Sequence, residues 1–145
     1  MKQILLILLL VNIGFAKMEF ADPKPTFDNP RLWLVTIRQN DKTIVNHIIN
    51  GINNVMKEYP SEALRVKVIL YGPGMRVIKK DYDKHILTRI QSLMEYEVEF
   101  IGCLNTMKTM GWKKNDFIED ISYVQAGIAQ VIESKVEGWI EVTPY

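Results

Sequence analysis

The sequence has 145 residues, of which 48% are hydrophobic and 24% are charged. These proportions are typical of one globular domain with a single core, and they exclude a low-complexity chain. The formal net charge is +1. Strong electrostatic attraction to nucleic acid or to an acidic membrane is therefore not indicated.

The first 16 residues have the pattern of a secretory signal peptide. Lys2 gives a positive start, residues 4–11 are apolar, and Gly14 and Ala16 are small residues beside a predicted cut after Ala16. The segment is short for a membrane span, although an uncleaved N-terminal anchor is the alternative. We expect a periplasmic or secreted mature protein that has no contact with the membrane after cleavage at the end of residues 1–16.

Residues 17–30 contain Pro23 and Pro25 in a polar setting, which predicts an extended N-terminal arm. Apolar runs after this arm predict buried strands, and apolar residues at helical spacing predict amphipathic helices. The predicted strands cover 31–37, 64–71, 98–103, 122–124 and 139–142. The predicted helices begin after the capping residues Asp41 and Asp83 and near Gly127, and a further short helix follows Asn105 and Thr106.

Alternating strands and helices with short connections require crossovers, and they predict a mostly parallel sheet of about five strands covered on both faces. The expected fold is therefore an α/β three-layer α/β/α sandwich, formed as a single domain by residues 31–145. Ligands bind such sheets beyond the carboxyl ends of the strands. The glycines of the 72–74 turn and the pair Gly102-Cys103 both lie at such ends, so they should face the same side.

Cys103 is the only cysteine in the chain, so no internal disulfide can form. It follows a strand and precedes Asn105 and Thr106, which are good helix-capping residues. Backbone N–H groups that gather at such a place favour a thiolate over a thiol. The alternative is that Cys103 is a small buried hydrophobic residue.

Several segments together resemble the DsrE/DsrF-like family over about residues 31–142. These segments are Tyr-Gly-Pro-Gly at 71–74, Cys-Leu-Asn-Thr-Met-Lys at 103–108, Gly111, and Ala-Gly at 126–127. The resemblance implies an α/β/α sandwich and a homo-oligomer, usually a trimer or a hexamer. It also implies a cysteine that carries sulfur as a persulfide, which in this chain would be Cys103.

Two functions are compatible with this pattern. In the first, Cys103 is a persulfide carrier or transferase, Gly102, Asn105 and Thr106 hold the thiolate, and a sulfur donor or acceptor protein is the partner. In the second, the protein is a non-catalytic oligomeric binding module. The residues that bind its small anionic or sulfur-containing ligand are then Gly72, Gly74, Gly102, Asn105 and Thr106, and Cys103 is structural.

Patterns for cofactors and metals are not evident in the sequence. The first strand is not followed by the glycine-rich turn of dinucleotide-binding folds. His47 and His85 lie at the flanks of helical stripes, where a lone histidine is seldom a metal ligand. We therefore expect neither a cofactor nor a metal site.

Overall fold

Five parallel strands form a single sheet in the computed structural model, which describes residues 18–144. The strands are β1 (Arg31–Ile37), β2 (Leu64–Leu70), β3 (Glu99–Cys103), β4 (Ser122–Val124) and β5 (Ile140–Glu141). Their spatial order is β4-β3-β2-β1-β5, with every neighbouring pair parallel. The carboxyl ends of all five strands therefore lie along one edge of the sheet. The predicted signal peptide falls outside the described residues.

Helices connect these strands. They are α1 (Lys42–Glu58), α2 (Lys84–Glu95), α3 (Leu104–Met110) and α4 (Gly127–Val136), together with short 3-10 helices at Gly72–Ile78 and Lys114–Asp116. Asp41 and Asp83 accept hydrogen bonds from backbone N–H groups in the first turns of α1 and α2, as predicted from their capping chemistry. Gly111 has a φ of 68° and ends α3 in the left-handed region.

The sheet separates two apolar cores because alternate side chains of a strand point to opposite faces. Val35, Val68 and Phe100 belong to the larger core, which α1 and α2 cover. Leu34, Ile69 and Ile101 form the smaller core with side chains of α4 and of the segment that leads into β5. The arrangement confirms the predicted α/β fold and agrees with a three-layer sandwich.

The segment before β1 is held to the domain by specific contacts. The Arg31 guanidinium donates hydrogen bonds to the carbonyl oxygens of Ala21, at 2.7 Å, and Pro23, at 2.8 Å. The rings of Phe20 and Tyr59 lie 4.9 Å apart. Among the described residues, no helix has the length and apolar character needed to span a membrane.

Several predicted boundaries differ from the structure, by one residue at the end of β2 and at the start of β3, and also at α3 and β5. Helix α3 begins at Leu104 with Cys103 as its N-cap, so Asn105 and Thr106 lie in the first turn and do not cap the helix. In this first turn the Asn105 N–H, which has no acceptor within the helix, donates to the Gln125 carbonyl at 3.0 Å. The last strand is also shorter than predicted, because only Ile140–Glu141 pairs with β1.

Candidate functional site

A cavity with a volume of about 490 Å³ opens at the carboxyl edge of the sheet, where the segments following β2, β3 and β4 meet. Its lining includes Tyr71, Gly72, Arg76, Cys103, Asn105, Thr106, Trp112, Gly127 and Ile128. The Gly72 N–H donates to the Thr106 Oγ1 atom at 3.0 Å. This bond joins the turn after β2 to α3 and fixes one wall of the cavity.

Cys103 lies at the end of β3 and is only 5% exposed. Its backbone N–H donates to the Sδ atom of the fully buried Met75 at 3.2 Å. Since strand pairing also holds its backbone to Val124 of β4, the residue has little freedom to move. The thiol is therefore presented to the cavity from a rigid position.

The surroundings of the Cys103 Sγ atom favour its charged form. The Gly127 N–H donates to Sγ at 3.3 Å. Burial raises the pKa of the thiol, but hydrogen bonds from the Thr106 hydroxyl and from the N–H groups of Gly127, Thr106 and Asn105 lower it by more. The protonated thiol can donate a hydrogen bond to the Gln125 carbonyl oxygen, but this oxygen lies 3.8 Å from Sγ and the bond is long. The net result is a pKa below the ordinary value of a cysteine.

Gly127 was recognised from the sequence as a helix start but not as a residue of the site. A Cβ atom at this position would lie 3.0 Å from the Tyr71 Cβ and 3.3 Å from the Cys103 Cβ. Only glycine lets the start of α4 approach the thiol this closely without displacing a neighbour. The available signal was a glycine at the first helical position directly after a short strand.

The predicted site glycines occupy different surroundings. Gly72 lines the cavity and has a φ of 54°. A Cβ on Gly74 would lie 2.0 Å from the Ile37 carbonyl oxygen, so this glycine allows close packing against the end of β1. A Cβ on Gly102 would lie 3.1 Å from the Met75 Cε atom. Gly74 and Gly102 are outside the lining of the cavity.

Asn105 and Gln125 hold α3 against the loop that precedes α4. The Gln125 Nε2 atom donates to the Asn105 Oδ1 at 2.5 Å, and the Asn105 N–H donates to the Gln125 carbonyl at 3.0 Å. Asn105 also lines the cavity. The pair therefore fixes the loop that delivers the Gly127 N–H to the thiol.

The rim of the cavity carries a paired charge and an aromatic ring that sequence reasoning did not select. Arg76 lines the cavity and forms an ion pair with Asp81, and its hydrogen bond lowers the pKa of that carboxyl. The Trp112 ring meets the buried Phe117 ring edge to face at 5.9 Å. The Lys79 Nζ lies 5.1 Å from the centre of the Trp112 ring. Both rim residues lie close to glycines that sequence reasoning did select, Gly74 and Gly111, but their own side chains were not selected.

Neither acid–base groups nor metal ligands gather at this site. Over residues 18–144, no three side chains of histidine, cysteine, aspartate and glutamate are placed to bind a metal ion. Within the same range, the cavity lining contains no histidine and no carboxylate. The chemistry that this arrangement offers is that of a thiolate held by hydrogen-bond donors in a largely apolar cavity.

The fold and site are those of a parallel α/β sandwich with a cysteine at the carboxyl edge of the sheet. The family model described as the DsrE/DsrF/DrsH-like family matches residues 32–141, and the chain belongs to this family. The structure is similar to that of MTH1491, a protein of unknown function from Methanobacterium thermoautotrophicum, with a TM-score of 0.73 and 24% sequence identity. The match covers 79% of this chain and 99% of that one. No protein with a curated description matches.

Proposed function

We propose that this protein carries sulfur as a persulfide on Cys103 and transfers it to an acceptor. The supporting observation is the set of donors around Sγ, where the Thr106 hydroxyl and the Gly127 N–H favour the thiolate in spite of burial. Membership of the DsrE/DsrF/DrsH-like family supports a role related to sulfur relay.

The transfer requires two displacements at sulfur. In the first, the Cys103 thiolate attacks the sulfane sulfur of a donor, a new bond to Sγ forms, and the donor leaves with the electrons of its own sulfur bond. In the second, an acceptor thiolate attacks the outer sulfur and releases the Cys103 thiolate. Because the pKa of the thiol is lowered, Cys103 needs no neighbouring general base to act as the nucleophile of the first displacement, and it is a better leaving group in the second. The partner would be a sulfur donor or acceptor protein.

A second function is favoured by a different observation. Cys103 is 5% exposed and belongs to the larger apolar core, as a packing residue would. In that function the cavity binds a small anionic or sulfur-containing ligand through Gly72, Asn105 and Thr106, and no sulfur is transferred. Gly74 and Gly102 then support the cavity through packing.

Sulfur uptake distinguishes the two functions. The folded protein is incubated with inorganic polysulfide, and intact mass is measured before and after reduction. The persulfide function predicts the gain of a reducible sulfur atom on wild-type protein and none on Cys103→Ser. If wild-type protein gains no sulfur and the folded Cys103→Ser variant binds small anions as wild type does, the binding function is correct.

We also propose that copies of the chain associate through the outer face of α4. Large apolar side chains are exposed on α4 and beyond it, at Ile128 (60%), Ile132 (55%), Val136 (78%), Ile140 (59%) and Val142 (55%). The three helical positions are four residues apart and so lie on one face. A monomer seldom leaves an apolar patch of this kind uncovered, and the implied assembly is a homo-oligomer such as a trimer or a hexamer.

Export is proposed on the sequence pattern of residues 1–16. The expected mature N-terminus is Lys17, and the expected location is periplasmic or secreted. Fractionation of expressing cells and N-terminal sequencing of the purified protein test this directly. Full-length protein recovered from the cytosol would contradict it.

A further inference from the structure

The cavity at Cys103 has little free charge with which to hold a highly charged sulfur donor. Apart from the thiol itself, Arg76 is the charged residue in its lining over residues 18–144. Asp81 already pairs with that guanidinium. Lys79, which lies 3.8 Å from the same carboxylate, is outside the lining of the cavity.

The remaining wall offers apolar contacts. The Tyr71, Trp112 and Ile128 side chains surround the space next to the thiol. Trp112 is held in place by its contact with Phe117, so the aromatic surface exists before a ligand enters. A donor gains most here by burying an apolar or aromatic group against this wall.

The charge of the thiolate itself adds to this selectivity. A donor with additional negative charges is repelled by the Cys103 thiolate, and because Cys103 is only 5% exposed this repulsion is less screened than between groups in solution. The donors around Sγ are occupied by that thiolate and do not compensate an additional negative group on a ligand. The negative charge of the thiolate and the apolar wall of the cavity therefore both favour a donor whose organic group is uncharged.

We infer that the donor for Cys103 is a small organic persulfide whose organic group is apolar or aromatic, and that the cavity selects against donors with charged organic groups. This inference rests on the proposed persulfide function. The Cys103 thiolate attacks the outer sulfur of the protonated persulfide, and the bond between the two donor sulfurs breaks. The products are the Cys103 persulfide and the thiolate of the organic group, which takes a proton from water. No oxidant or reductant is required.

The test compares two donors with the same reactive group. Benzyl persulfide and glutathione persulfide are each mixed with folded protein, and the rate of sulfur gain on Cys103 is measured by mass spectrometry. Each rate is divided by the rate of the same donor with free cysteine, which removes differences in intrinsic reactivity. We expect the normalised rate to be about tenfold or more higher for benzyl persulfide, as burial of one aromatic group allows.

One exposed residue of the lining allows the selectivity to be changed without disturbing the core. Met110→Lys, on α3, is 52% exposed and places a positive charge at the rim without touching the proposed interface on α4, and it should shift the ratio of the two rates toward glutathione persulfide by about fivefold. Tyr96→Lys is the matched control, because Tyr96 is 70% exposed, and it follows α2 at the opposite edge of the sheet. This control adds the same charge and should leave the ratio unchanged.

The outcomes separate the inference from the proposed function. Equal normalised rates for the two donors, or a faster rate for glutathione persulfide, would overturn the inference even where inorganic polysulfide still loads Cys103. An equal effect of Met110→Lys and Tyr96→Lys on the ratio would also overturn it, because the net charge of the protein and not the cavity lining would then determine the ratio. If neither polysulfide nor either persulfide adds sulfur to Cys103, the proposed persulfide function itself is wrong.

Discussion

The backbone N–H of Gly127 donates a hydrogen bond to the Cys103 Sγ atom at 3.3 Å. The two residues are 24 positions apart, and they meet because β3 and β4 are neighbouring parallel strands whose following helices start at the same edge. This contact is the most direct link between the fold and the chemistry of the thiol.

Gly127→Ala should harm both stability and thiol reactivity. The added Cβ would lie 3.0 Å from the Tyr71 Cβ and 3.3 Å from the Cys103 Cβ, so α4 or these neighbours must shift by a few tenths of an ångström, and we expect a loss of about 1 kcal/mol in the free energy of unfolding. The same shift lengthens the bond to Sγ and raises the pKa of the thiol. Urea unfolding and the pH dependence of alkylation measure the two effects. Wild-type values in both would contradict the described contact.

Alkylation of folded protein should show a thiol that ionises below the ordinary cysteine value of about 8.5. Thr106→Val removes the hydroxyl that bonds the thiolate, so the apparent pKa should rise, whereas Thr106→Ser should keep it low. Thr109→Val is the matched control, because the Thr109 hydroxyl donates to the Asn105 carbonyl and not to the thiol. The rate of alkylation by iodoacetamide, measured against pH, gives the apparent pKa of Cys103 in wild type and in the three variants. Identical pH profiles for Thr106→Val and Thr109→Val would show that the Thr106 hydroxyl has no such role.

The lowered pKa of Cys103 also makes folding stability depend on pH. Between the folded pKa and the unfolded value of about 8.5, the folded protein holds the thiolate while the unfolded chain still binds the proton. The ionisation of Cys103 therefore makes its full contribution to the free energy of unfolding above about pH 8.5, and this contribution is lost as pH falls through the pKa of the folded state. The difference in unfolding free energy between wild type and Cys103→Ala should grow with pH across this window. A constant difference would contradict the lowered pKa.

Assembly should depend on the outer face of α4. Sedimentation of wild-type protein at micromolar concentration is expected to show an oligomer, and Ile132→Glu should dissociate it because a buried carboxylate at an interface lacks a partner. Thr88→Glu, on α2, is the control for added charge, since the Thr88 hydroxyl bonds only within its own helix, to the Lys84 carbonyl. If wild-type protein is a monomer, or if both variants change the oligomeric state equally, the outer face of α4 is not the interface.

The sequence predicted the scaffold more completely than the site. Asp41 and Asp83 cap their helices through local chemistry, and apolar runs identified the strands, so these elements could be predicted from neighbouring residues. The contact between Gly127 and Cys103 depends on strand order, which no local pattern specifies. Placement of Trp112 in the cavity wall depends on packing against Phe117, which is equally non-local.

The capping positions at α3 show why short helices are harder to predict. Asn105 and Thr106 have the right chemistry for an N-cap, yet the helix starts one residue after β3. Their side chains instead bond Gln125 and Gly72, which come from other segments. The partners of these two side chains come from distant segments and could not be predicted from the sequence.

The position of α4 in the chain has a consequence for synthesis. Cys103 leaves the ribosome before Gly127, and α4 is followed by β5, which pairs with the early strand β1. A nascent chain that ends before α4 therefore carries the thiol without its Gly127 donor. Cys103 acquires its full set of donors only when the last helix has docked, so unfinished or clipped chains would expose a cysteine of more ordinary chemistry.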